Sequence, residues 1–422
     1  MLVLETPLDA YRSDLARNKS RPDFGGADTV WLLSAHCLSR LSRTSLEDRE
    51  IVSTQCAAAL RDFLDPENSV PLPLDRDWRD LELVVDGFAR IMERQGADAL
   101  SRGIRGMASR MADTGALSMA YTTLAHARAV VTGASDRERG LLAADQAKIA
   151  RLLGDLESAE DLYQEADTIG EKSVDFSLLA RASIGRGVIN RVRGNYPRAR
   201  VFFERALELA ETAQSAELRL LAHQGITICH AIARDFDRAL PHAWAAFELA
   251  SGEPAQETEA LANLAQLCLD AGYPRAALQG FAAVLARTDV LRVCLGVLGG
   301  AAVAAARCGE ANVLERVADE AEQRILRSAL PYENAQALYH LAVAYGHAGV
   351  MERSQDYTAR ARRLAKARGF FELLHAIETG KLAAADQHAT VALELSESSQ
   401  IVVDSLTNLD VGDTAEMLAL SR

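Results

Sequence analysis

The sequence predicts an all-α protein built as a solenoid of stacked helical hairpins, and three observations carry that prediction. Of the 422 residues 49% are apolar but only 5% aromatic, with alanine abundant, which suits closely packed helices better than a β-sandwich or barrel. A spaced frame recurs: five and twelve places after a turn residue stand small side chains, as Ala120 and Ala127 after Gly115, Ala159 and Ala166 after Gly154, Ala199 and Ala206 after Gly194, and Ala239 and Ala246 after Arg234. Ala276 and Ala283 follow Ala271 in the same way, and weaker copies start at Gly309 and Gly349, so the origins lie 37 to 40 residues apart. Apolar residues at helical spacing precede the origins, over 141–153, 178–192, 216–232 and 259–269.

Each repeat reads as a turn and two helices. Positions five and twelve are seven apart, two turns along one helical face, and in a stacked hairpin that face is squeezed between the partner helix and the next repeat. Tyr163 and Phe203 fall between the small residues and fill the space they leave. Glycine at the origin ends the preceding helix in a left-handed conformation, and Pro197 or Pro274 suits the first turn that follows. A single hairpin cannot bury its own apolar face, so the units must stack.

The stretch GNYPRARVFFERALELA, residues 194–210, resembles the second half of a tetratricopeptide repeat, and Gly187 matches the small first-helix residue of that family. The same offset finds Ala108, Ala147, Thr227, Ala302 and Ala342; Leu264 breaks the series unless Gly272 is that unit's origin, which brings in Ala265. The first-helix aromatic is missing at Ala150, Asn190 and His230 and present at Tyr345. The period of about forty is similar to the long-helix bacterial version of the repeat. The resemblance implies a right-handed α-solenoid with an N-terminal helical cap and a concave groove lined by first helices. Their ligand-facing positions map onto Arg105, Lys148, Arg151, Ile184, Val188, Arg191, Gln224, Ile228, Tyr339 and Val343.

Along the chain, residues 1–27 read as a flexible leader, 28–97 as an N-terminal helical region, 98–374 as about seven repeats, 375–407 as C-terminal capping helices and 408–422 as a frayed tail. In the N-terminal region helices are expected over 28–42, over 44–64 behind a capping box of Thr44 and Glu47, and over 78–95 after the proline-rich break DPENSVPLPLD.

A net charge of -13 argues against duplex nucleic acid or an anionic membrane as partner. The N-terminus has neither the basic start nor the apolar run of a secretory signal, so a cytoplasmic location is expected. The six cysteines form no C-x-x-C pair and are expected as buried thiols. VCLGVLGGAAVAAA, residues 293–306, is uncharged but short of the roughly 20 residues that cross a bilayer. It is expected as a buried helix in which Gly296 and Gly300 admit a close neighbour.

No nucleotide-binding, zincin or serine-hydrolase motif occurs. His223 and His230 with Cys229 invite a metal, as Tyr339, His340 and His347 do, but no carboxylate or second thiol sits at ligand spacing, and packed helix residues are expected. Glu315, Asp319 and Glu320, and the basic run Arg360, Arg362, Arg363, Lys366 and Arg368, are expected on solvated helix surfaces. No cofactor and no enzymatic activity are expected. The expected function is a protein- or peptide-binding scaffold, its early cations indicating an acidic or carboxylate-bearing segment. The resemblance also implies an alternative, a peptide-responsive regulator of the bacterial Rap type acting on a protein partner. A third reading, an enzyme with an unrecognised site, has no motif behind it.

Overall fold

The computed structural model describes residues 27–64, 77–113, 116–328, 330–368, 370–379 and 394–409. Outside them lie residues 1–26 of the expected leader, the proline-rich break at 65–75, Gly115, residues 380–393 of the expected C-terminal capping helices and residues 410–422 of the expected tail. The described residues hold nineteen α-helices and no strand. The chain divides into two compact units, residues 1–218 and 219–422.

In the first unit α1 (Ala27–Ser42), α2 (Arg49–Leu64) and α3 (Asp77–Ala89) precede three hairpins. These are α4 (Arg94–Asp113) with α5 (Leu117–Val130), α6 (Asp136–Leu152) with α7 (Leu156–Ser173), and α8 (Phe176–Val192) with α9 (Tyr196–Thr212). The unit boundary falls inside the first turn of α10 (Ala216–Ile232). Each hairpin closes on itself, and successive first helices touch, α4 against α6 and α6 against α8.

The second unit continues the alternation with α11 (Phe236–Leu249), α12 (Pro254–Asp270), α13 (Pro274–Leu285), α14 (Leu291–Cys308), α15 (Ala311–Arg327), α16 (Pro331–His347) and α17 (Met351–Arg368), then α18 (Phe371–Thr379) and α19 (Glu397–Thr407). Its largest apolar cluster runs from Phe236 through Phe281 and Tyr345 to Leu406. α19 turns back onto α11 and α13. There Ser399 Oγ donates to the Asp237 carbonyl at 2.6 Å, and Ser396 N donates to the Asp237 carboxylate at 2.8 Å.

The turn inside each hairpin is the same object six times over. Gly154, Gly194, Arg234, Gly272, Gly309 and Gly349 all have φ between 58° and 92°, and the amide after each reaches back five residues, as Asn195 N to Asn190 O at 2.8 Å. This is the Schellman closure. It makes Gly272, not Ala271, the origin of its repeat.

Helix starts follow a second, shorter rhythm. Ser135, Asp155, Asp175, Asn195, Ser215 and Asp235 recur every twenty residues, and the side chain of each accepts the amide three places on, at 3.0 to 3.4 Å. Each satisfies an N–H that the helix leaves unpaired.

The small residues lie where the frame requires. Ala159, Ala166, Ala199 and Ala206 are fully buried, with Tyr163 and Phe203 between them. A Cβ built on Gly185 would fall 2.0 Å from the Tyr163 ring, and one on Gly187 2.8 Å from Phe203, so each aromatic presses on bare backbone of a neighbouring first helix.

Three local expectations are corrected. Thr44 does not cap α2: its hydroxyl donates to the Arg40 carbonyl at the end of α1, and Ser45 accepts the Asp48 amide instead, because the chain needs six more residues to turn. The expected helix over 78–95 breaks after Ala89 and restarts at Arg94, and across the turn the Arg90 guanidinium donates to Glu93 and Gln95. In α14 Gly296 faces open space, while Gly299 and Gly300 lie against His340 and Phe281. α14 is the one described helix long and apolar enough to cross a membrane, and most of its apolar window is buried inside the unit.

Candidate functional site

The first unit holds a cleft of about 480 Å³, inside the range of about 300–1,000 Å³ usual for ligand sites. Its floor is apolar, from Ala108, Leu124 and Ile149, and its walls are polar and charged, from Arg102, Arg105 and Ser109 on α4, Asp145 and Lys148 on α6, Arg181 on α8 and Glu217 on α10. Three consecutive first helices and the start of a fourth supply the walls, because a period of forty returns each first helix to the same side. No histidine or cysteine lines it.

The four cations differ in what holds them. Arg105 is committed: its Nε donates to Asp145 at 2.6 Å and its Nη1 to Glu138 at 3.3 Å, and Glu138 is itself buried and accepts from Ser101 Oγ at 2.9 Å. Arg102 keeps its side chain 51% exposed and stands 3.9 Å from Glu138. Lys148 is exposed and has no ion pair among the described residues. Arg181 meets Glu217 at 3.5 Å, and that glutamate is 63% exposed. Arg102, Lys148 and Arg181 are therefore accessible cations above an apolar floor.

Of the ten groove positions mapped from the sequence, Arg105 and Lys148 line this cleft. Arg151 is half-buried beside the Tyr163 phenol, whose pKa rises to about 12 chiefly through burial, with the Arg151 charge opposing. Ile184, Val188 and Arg191 are half-buried along α8, and in the second unit Gln224 is half-buried and Ile228 exposed. Tyr339 and Val343 are not groove residues. Both are in the core of the second unit, at 4% and 8% exposure, and Tyr339 Oη donates to the Ala376 carbonyl of α18 at 2.9 Å. The Tyr339 hydroxyl thus reaches α18, and α16 packs along α14, neighbours that the repeat frame alone does not reveal.

Arg102, Arg181 and Glu217 were missed by position counting, although a signal exists. Arg102 and Glu138 are 36 residues apart, as are Arg181 and Glu217, so the same cross-repeat pair occurs two repeats on. Other Arg–acid pairs one repeat apart include Arg128–Glu165, Arg137–Asp175 and Arg205–Asp167 in the first unit and Arg353–Glu315 and Arg360–Glu322 in the second.

Three histidines of the second unit, His223, His230 and His242, lie together. His223 Nδ1 and His242 Nδ1 are 2.9 Å apart, and burial first, then His242 and Arg219, depress the His223 pKa to about 4. His230 stacks near His242 and lies 3.3 Å from Asp235, the cap of α11. Among the described residues no group of three His, Cys, Asp or Glu is arranged to hold a metal.

No family model matches the chain, and no curated protein matches it. Solved structures do match. A signal-transduction ATPase with numerous domains from Pyrococcus horikoshii, which carries a tetratricopeptide repeat sensor, aligns with TM-score 0.54 at 16% identity over 79% of this chain. The repeats are tetratricopeptide-like. This chain spans 56% of that protein's length, and at such identity the likeness is one of fold. Aspartyl phosphate phosphatase F from Bacillus subtilis aligns at TM-score 0.49 and 14% identity, covering 81% of this chain and 94% of its own. The quorum sensor NprR from B. thuringiensis aligns at 0.47 and 15%, covering 88% and 98%.

Proposed function

We propose that this tetratricopeptide-like chain is a non-catalytic binding module that holds a protein or peptide segment bearing carboxylates on the first-helix face of its first unit. The observation that carries the reading is the convergence of Arg102, Lys148 and Arg181 over the floor of Ala108, Leu124 and Ile149. Charge-assisted hydrogen bonds to carboxylates are the strong ones, and an apolar floor takes the intervening side chains of an extended peptide. The test is fluorescence anisotropy with a labelled octapeptide of alternating glutamate and valine and its glutamine counterpart. The acidic peptide binds, and binding weakens as salt rises; equal binding of the two peptides, or of neither, overturns the reading.

A second reading, a peptide-responsive regulator whose N-terminal helices engage a partner protein, rests on Leu124. That residue floors the cleft and belongs to the same apolar cluster as Leu38 and Leu41 of α1. A hydrogen bond of 3.0 Å between Ser42 Oγ and His126 Nδ1 ties the end of α1 to α5 as well. Occupancy of the cleft then alters amide exchange in α1. Protection of α4 and α6 by the octapeptide with exchange in α1 unchanged removes this second reading and leaves the first.

A further inference from the structure

In the cleft, Arg102 and Arg181 each face a glutamate of the following repeat. The two equivalent arginine–glutamate pairs are held differently. Glu138, facing Arg102, is 8% exposed and is held from two other sides, by Arg105 at 3.3 Å and by Ser101 at 2.9 Å. Its place is structural. Glu217 occupies the same position two repeats later, yet its side chain is 63% exposed, and among the described residues its one ion pair is with Arg181, at 3.5 Å. That distance is long for a charge-assisted hydrogen bond, which runs at about 2.7–2.9 Å, and exposed pairs of this kind hold weakly.

Resting on the binding reading, we infer that Glu217 is a built-in stand-in for the ligand. Its carboxylate screens Arg181 in the empty cleft, and an incoming carboxylate displaces it and takes the guanidinium. Glu217 therefore sets a threshold, since a ligand carboxylate must bind Arg181 better than a neighbouring residue already does. It also selects against neutral ligands, which have nothing to exchange. No bond is made or broken, and Glu217 swings into solvent, to which it is already open.

The experiment is a double-mutant cycle read by anisotropy with the alternating glutamate–valine octapeptide. Glu217→Gln preserves shape and removes the charge, and is expected to tighten binding about three- to tenfold. Arg181→Gln weakens binding. In the Arg181→Gln background, Glu217→Gln gives less than a twofold gain, because the cation it masked is gone. Thermal melts of all three variants within a few degrees of wild type show that the repeat is intact. An equal gain from Glu217→Gln with and without Arg181 overturns the inference, for it reduces Glu217 to one more negative charge near the cleft. So does no gain in either background while wild type binds. If neither wild type nor any variant binds the octapeptide, the binding reading itself has failed and takes this inference with it.

Discussion

Replacing Ala206 with leucine is expected to lower the stability of the first unit by about 1–3 kcal/mol, the usual cost of overpacking a filled core. Ala206 is fully buried on the face of α9 that it shares with Ala199 seven residues earlier, and Phe203 already fills the volume between them. Leucine is nearly as good a helix former as alanine, so a loss reports packing and not propensity. The Ala199→Leu, Ala206→Leu double variant loses more, and because each repeat contacts only its neighbours the damage is local to α8 and α9. The control is Ala129→Leu, an exposed position on α5, where the change stays within about 0.5 kcal/mol. Urea or thermal midpoints measure both. Equal midpoints for Ala206→Leu and Ala129→Leu contradict the nested-hairpin packing.

Reversing two cleft charges gives the largest functional effect. Arg102→Glu with Lys148→Glu places two carboxylates where the acidic octapeptide needs cations, and like charges brought together at an interface cost several kcal/mol. A loss of about 100-fold in affinity, about 2.8 kcal/mol, is expected at low salt and shrinks as ionic strength rises. Both side chains are exposed, with Arg102 at 51%, so the melting temperature changes little. Arg105→Gln gives the opposite pattern. It removes the partner of buried Glu138 and of Asp145, so stability falls, as it does when one member of a buried ion pair is deleted, whereas peptide affinity changes less. Stability loss and affinity loss thus separate the committed cation from the accessible ones.

The repeat was legible in the sequence because it is a matter of spacing. Turn residues and small side chains recur at fixed offsets, and the left-handed turns at Gly154, Gly194, Arg234, Gly309 and Gly349 fall at the origins that spacing selects. The ambiguity between Ala271 and Gly272 needed backbone geometry, since alanines surround both frames. The helix caps every twenty residues are equally a matter of spacing, each a polar residue that accepts the amide three places on.

The candidate site was less legible because it depends on which cations are already used. Position counting found Arg105 and Lys148 but could not see that Asp145 and Glu138, 40 and 33 residues away, bind Arg105. It passed over Arg102 and Arg181, whose long side chains reach the cleft from a different turn of the helix. It also placed Tyr339 and Val343 in a groove, because nothing in a repeat frame announces that both are buried in the core of the second unit.

The most direct test of the central claim is a photo-crosslink. The acidic octapeptide, with benzoylphenylalanine in place of one valine, is irradiated with the full chain and the attachment sites are read by mass spectrometry. Attachment to α4, α6 and α8 around Arg102, Lys148 and Arg181 is the result expected. Attachment to α7 or α9, or to residues beyond 218, contradicts it.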